Sequence, residues 1–270
     1  MKFASKREFN SYLDNLRIIG CEENGASYLD NEHNIVLKVY HDYEIDDKMS
    51  HIYSGYEHNL SYLFDGEAEE EIKPRVTKED ILKFSAIEND TFIWPKDIIE
   101  VNGEIAGYYY PYIIGVNLSS ITTHDFQFKK LIEAITSSID DIKRITASKV
   151  RITKLENNIL YQNKLNKLKV VGTSNYKFDQ EVTLEENLAV FEKELKTVLV
   201  TKLAYHINDN ALLKILYDIY DNKQKSVKDF IEIMQKELER VLEIREFPRT
   251  LKDVDDLTLK YHILKRSRKK

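Results

Sequence analysis

Apolar and polar positions alternate along the first forty residues in a way that predicts a small antiparallel meander. Arg17-Ile18-Ile19-Gly20 reads as a strand leading into the turn Cys21-Glu22-Glu23-Asn24-Gly25. Ala26-Ser27-Tyr28-Leu29 reads as the return strand, Asp30 to Asn34 as a polar turn, and Ile35 to Tyr40 as a third strand. Ahead of them, Phe9, Tyr12, Leu13 and Leu16 have helix spacing over residues 6–16. Residues 42–80 are acidic and polar, with a predicted helix carrying Tyr53, Tyr56, Leu60 and Leu63 on one face. Thr77, with Asp80 three residues on, predicts a capped helix to about Glu88. Short strands are predicted at Phe92–Pro95 and Asp97–Val101, with a hairpin turn at Asn102-Gly103 and a return over Glu104–Pro111.

After Gly115 the period changes. Phe126–Thr146 places Phe128, Leu131, Ile132, Ile135, Ile139, Ile142 and Ile145 on one helix face. Val150–Ile152, Ile159–Tyr161 and Lys167–Val171 predict short strands, and helices follow at 183–205, 209–221, 226–244 and 253–264. Strands first and helices after is an α+β order, with a small sheet lobe over 1–112, an insertion over about 42–76, and a helical lobe over 113–270.

Lys38 changes how this pattern is read. It interrupts the apolar run Ile35-Val36-Leu37-Lys38-Val39-Tyr40, where a buried ammonium is costly unless something anionic meets it. Composition narrows the classes further. At 270 residues and 42% hydrophobic content the chain can bury a core, which argues against disorder. The net charge of −6 argues against a nucleic-acid footprint, leaving only the basic tail Lys265–Lys270 as a local exception. With one cysteine, Cys21, an internal disulfide is excluded and a structural zinc site has too few thiolates. None of the seven histidines, His33, His41, His51, His58, His124, His206 and His262, shows metal-ligand spacing with an acid. No apolar run reaches the roughly 20 residues of a membrane span, and the N-terminus lacks an apolar signal core, so the expected location is the cytoplasm.

Over about residues 15–250 the order of these segments resembles a bacterial protein-kinase-like family, a bilobal fold with a sheet-based N-lobe and a helical C-lobe. Gly20 and Gly25 match the outer glycines of the phosphate-covering hairpin, with Glu22 in place of the middle one. Lys38 matches the phosphate-pairing lysine, and either Glu79 or Glu57 matches its helix glutamate, Glu79 being preferred. In the hinge segment Gly107–Leu118, Tyr110 falls at the gatekeeper position, Pro111 and Ile113 at the adenine contacts, and Asn117 near the ribose.

The resemblance fails where chemistry is carried. In the catalytic loop Asn158 matches the metal-binding asparagine, but Thr153 stands where the base aspartate belongs. Gly172 stands at the metal-binding aspartate, and no aspartate lies between Arg144 and Lys177 in any register. Threonine is no carboxylate base, and magnesium wants hard anionic oxygens.

The resemblance therefore implies a catalytically impaired pseudokinase, a regulatory or scaffolding module for a protein partner. ATP is the implied nucleotide, held weakly or not at all, and the missing carboxylates argue against a retained magnesium. Two alternatives stay open. One is an active phosphotransferase in which Glu156, Asn158 and Asp179 share the metal and base roles. The other is an interaction module that binds no nucleotide, as expected if Tyr108, Tyr109 or Tyr110 fills the adenine slot.

Overall fold

The computed structural model describes residues 1–22, 25–40, 76–121, 127–155, 157–162, 164–200 and 226–242. The insertion over 42–76 (apart from Val76), the rival Glu57, Glu156, the helices expected at 209–221 and 253–264, and the basic tail lie outside these residues. The fold is α+β. Its chain divides into two compact units, one of residues 1–86 and 94–113, the other of residues 87–93 and 114–270.

The first unit is a mixed sheet of six strands: β1 (Lys2–Phe3), β2 (Arg17–Glu22), β3 (Gly25–Asp30), β4 (Ile35–Tyr40), β5 (Asp97–Val101) and β6 (Glu104–Pro111), in the order β1-β5-β6-β4-β3-β2. The expected meander β2-β3-β4 is present, with one register shift in β2 between Ile18 and Gly20. β1, which the sequence pattern does not announce, pairs parallel with β5, Phe3 opposite Val101. Each face of the sheet buries its own set of apolar side chains. On one face Leu37, Val39, Tyr28, Ile99, Val101 and Ala106 pack against Phe9 and Leu13 of helix α1 (Lys6–Leu13). The opposite face has Ile98 and Tyr108 under Val76 and Ile81, the latter from helix α2 (Lys78–Ser85). Helix α2 starts at the expected cap: Thr77 Oγ1 accepts the Asp80 N–H, and the Asp80 carboxylate accepts the Thr77 N–H. It stops at Ser85, three residues short of the expected end.

Gly107 sits where β6 meets β4, opposite Val39, and a Cβ there would lie 2.1 Å from the Lys38 carbonyl oxygen. The Asn102-Gly103 hairpin forms as expected, with both residues at positive φ. The strand expected at Phe92–Pro95 is reduced to a single bridge, Phe92 with Val170, inside the second unit.

The second unit is built on helix α3 (Phe128–Ala147). Its buried stripe includes Phe128, Leu131, Ile135, Ile142 and Ile145, together with Ser138 and Asp141. The polar residues are there because Asp141 accepts hydrogen bonds from the Asp90 and Thr91 amides and the Thr91 hydroxyl, at 3.0, 2.8 and 2.7 Å. Around it lie β7 (Val116–Asn117), β8 (Val150–Arg151), β9 (Ile159–Gln162), β10 (Lys167–Val170) and β11 (Lys177–Phe178). They form a three-stranded sheet, β10-β9-β7, and a two-stranded pair, β11-β8. Helix α4 (Leu184–Leu195) runs on into a wider turn over Lys196–Val200, and α5 spans Val227–Leu242.

Candidate functional site

In the first unit Lys38 lies mid-strand in β4, between Ser27 of β3 and Tyr108 of β6 in register. All three are buried, and Lys38 is 5% exposed. Its neighbours Leu37 and Val39 belong to the α1-side core, so alternation puts Lys38 on the opposite face, with Tyr108. Its ammonium donates to the Gly25 carbonyl oxygen at 3.1 Å. Gly25 begins β3 opposite Tyr40, and Gly20 lies in β2 opposite Ser27. The two glycines and the lysine that the resemblance selects therefore occupy three adjacent strands.

Tyr110 pairs with Val36 and its ring lies 6.4 Å from that of Tyr108. Pro111 closes β6, and Ile113 is the last residue of the first unit. Glu79, in the first turn of α2, forms its ion pair with Lys83 at 2.8 Å, and its side chain is 76% exposed.

In the second unit Asn158 and Gly172, the residues that the resemblance assigns to the catalytic loop and the metal-binding triplet, lie together. Asn158 donates its amide to Leu155 O at 2.8 Å and accepts the Val171 amide at 3.0 Å. This brings the next residue, Gly172, against the Asn158 side chain. Gly172 has φ +70° and ψ +28°, and a Cβ there would lie 2.9 Å from Asn158 Nδ2 and 3.1 Å from Asn158 Cγ. Where the resembled fold has a carboxylate beside an asparagine, this chain packs the asparagine amide onto a bare α-carbon.

Thr153, at the base position, donates its hydroxyl to the Asn175 carbonyl at 3.3 Å. Asn117 uses both ends of its amide locally: Nδ2 donates to the Asn157 carbonyl, and Oδ1 accepts the Ser119 amide and hydroxyl at 2.9 and 2.7 Å. Asn157 in turn gives its N–H to Glu194 of α4 at 3.2 Å.

Two carboxylates of this unit, Asp179 and Asp90, are engaged with cations. Asp179 accepts the Arg151 guanidinium at 2.6 Å, and the Glu181 N–H and Arg151 together hold its carboxyl below the usual range. Asp90 takes Lys167 and Lys169; burial pushes its carboxyl up, but the two lysines outweigh this and lower it. Among the described residues no three acid, histidine or cysteine side chains are grouped to hold a metal ion. At the positions that the resemblance assigns to a base and a metal ligand, the chain has a neutral hydroxyl, Thr153, and a neutral amide, Asn158.

Two residues that sequence reasoning passed over organise this region. Asn187, on α4 and fully buried, accepts the Ile152 amide and donates to Thr146 Oγ1 and the Val150 carbonyl, each at 2.8 Å. Arg151 bridges Asp179 and, at 3.1 Å, Glu186. An asparagine within an otherwise amphipathic helix gives no pattern to read; an arginine inside a short apolar strand is the one available signal. No protein-family model matches this chain, and no curated protein matches its sequence. No described helix is long and apolar enough to cross a membrane.

Proposed function

We propose that this chain is a protein-kinase-like module that has lost phosphoryl transfer and acts through regulatory or scaffolding contact with a protein partner, holding ATP weakly or not at all. The observation that carries this reading is the packing of the Asn158 amide against the α-carbon of Gly172. A divalent cation bridging nucleotide phosphates needs hard anionic oxygens, and the pair Asn158–Gly172 supplies one neutral amide. The Thr153 hydroxyl, which donates to Asn175 O, is itself no carboxylate base for taking a proton from an acceptor. The rival with a rebuilt metal site is disfavoured by Asp179, whose carboxylate is already neutralised by Arg151. The buried Lys38, held by the Gly25 carbonyl, is consistent with a retained phosphate-facing position in a sheet of the kinase N-lobe type.

The test is transfer of labelled γ-phosphate from ATP to the protein itself and to a generic acceptor, with magnesium and with manganese. The reading expects no incorporation above that of a heat-treated sample. Incorporation that Lys38→Ala abolishes overturns it.

A further inference from the structure

We infer that residues 173–182 form a permanently fastened strap on strand β8, with Arg151 as the positioning residue that closes it, so the segment after Gly172 is not a switching loop. This goes beyond the pseudokinase reading and does not rest on it. A strap of this kind stays closed whether or not nucleotide is bound.

Segments that switch between order and disorder are drawn from poorly tethered stretches. This one is tethered along its length. At its start the Thr173 hydroxyl donates to the Ile93 carbonyl at 2.6 Å. The next tether is Asn175, whose carbonyl accepts the Thr153 hydroxyl. Tyr176 is buried, its ring meeting Phe92 edge-on at 6.0 Å. Lys177 and Phe178 pair with Arg151 and Val150 as the two-stranded ribbon β11-β8. Asp179 then gives its N–H to the Lys149 carbonyl at 2.7 Å. The strap ends at Thr183, the N-cap of α4, in a capping box with Glu186.

The Arg151 guanidinium joins the far end of this run to the helix that follows it. Its Nε donates to Asp179, at the end of β11, and its Nη1 pairs with Glu186, in the first turn of α4. One planar cation thus fixes the distance between the ribbon and the helix that follows, a geometry for which lysine lacks the rigid fork of donors. Backbone amides and then Arg151 lower the carboxyls of Asp179 and Glu186, and those two carboxylates raise the Arg151 guanidinium.

Hydrogen exchange on the full chain tests the strap. In the wild type the amides of Tyr176, Asp179 and Val182 are expected to be protected at least about 100-fold over an unstructured chain, as befits a fastened segment. Arg151→Gln is expected to lower protection at Asp179 and Val182 about tenfold or more while leaving the α3 amides unchanged. Asp179→Asn should match that loss, and the double variant should add little to either, because both remove the same bridge. Arg151→Lys should recover only part of the protection. If Arg151→Gln does not fold, Glu186→Gln, which removes only the outer half of the bridge, should give an intermediate loss. Wild-type amides over 176–182 that exchange like a free chain, or an Arg151→Gln variant with unchanged protection, would overturn the inference. The phosphate-transfer assay is indifferent to all of these outcomes, so failure of the strap is separable from failure of the pseudokinase reading.

Discussion

Replacing Gly172 with alanine probes the contact on which the functional reading turns. Two costs can be worked from the structure. The backbone at φ +70° is left-handed, which an L side chain occupies at about 1–2 kcal/mol. The new methyl would also stand 2.9 Å from Asn158 Nδ2, so the amide must swing off its rotamer, at about 0.5–1.5 kcal/mol. Alanine returns about 0.4–1 kcal/mol by restricting the unfolded chain. The net expectation is a loss of about 1–2 kcal/mol, or a Tm lowered by roughly 3–8 °C for a unit of this size. Calorimetry measures the loss, and hydrogen exchange at Val171, whose amide is held by Asn158 O, places it in this loop. In an Asn158→Ala background the crowding is absent and only the backbone cost should remain, so the two substitutions are expected to be non-additive. Gly172→Asn should cost less than Gly172→Ala, because asparagine tolerates the left-handed region. A Gly172→Ala protein as stable as the wild type, or more so, would refute the reasoning.

Other perturbations follow from the same geometry. Asn187→Ala strips the buried Ile152 amide and Val150 carbonyl of their partner and should cost about 2–4 kcal/mol, read from urea midpoints at constant slope. Gly107→Ala forces a methyl to within 2.1 Å of the Lys38 carbonyl and should lower Tm more than Gly172→Ala, since backbone rather than a side chain must move. The turn after β3 predicts a pH dependence. The hydrogen bond that the His33 ring donates to the Asp30 carboxylate, and then the charge of Asp30, raise the His33 pKa above 6.5, so that stabilisation is complete below about pH 6.5 and is lost as pH rises through the raised value. Burial pushes the Asp30 carboxyl up, but Tyr12 and His33 outweigh it, so its contribution is present above the usual carboxylate range and disappears in acid. His33→Gln should flatten the neutral limb of a Tm–pH profile and shrink the acid limb to the part that Tyr12 and the residue-33 backbone amide maintain.

How much of this was legible in the sequence depends on where the information sits. The meander β2-β3-β4 and the hairpin at Asn102-Gly103 are written in local alternation and turn chemistry, and they form where expected. The cap at Thr77 is equally local. Strand β1 is two residues long, too short for any period, and exists only because Val101 offers it an edge. The apolar face of α3 pointed to Ile132 and Ile139, yet Ser138 and Asp141 are more deeply buried, since Asp141 is needed to tie down the amides of the 90–91 turn. Periodicity counts apolar residues and cannot see a buried carboxylate with three donors.

The same holds for the candidate site. Thr153, Asn158 and Gly172 are selected by position along the chain; the structure sets Gly172 against the Asn158 side chain and bonds the Thr153 hydroxyl to the carbonyl of Asn175, three residues after Gly172. The clamp made by Asn117, Asn157 and Glu194 was not legible, because each bond joins residues some forty positions apart through a backbone atom. Glu79 was preferred as the partner of Lys38 from its place on a helix; the ion pair it forms is with Lys83, one turn along the same helix.

The most direct test of the central claim is a thermal-shift titration with ATP, with and without magnesium, on the wild type and Lys38→Ala. A ligand at a hundredfold excess over its Kd adds about 2.7 kcal/mol to apparent stability. The account predicts that magnesium adds nothing to whatever shift ATP produces, because no carboxylate stands at Gly172 to hold the cation. A shift that requires magnesium and vanishes in Lys38→Ala would contradict it.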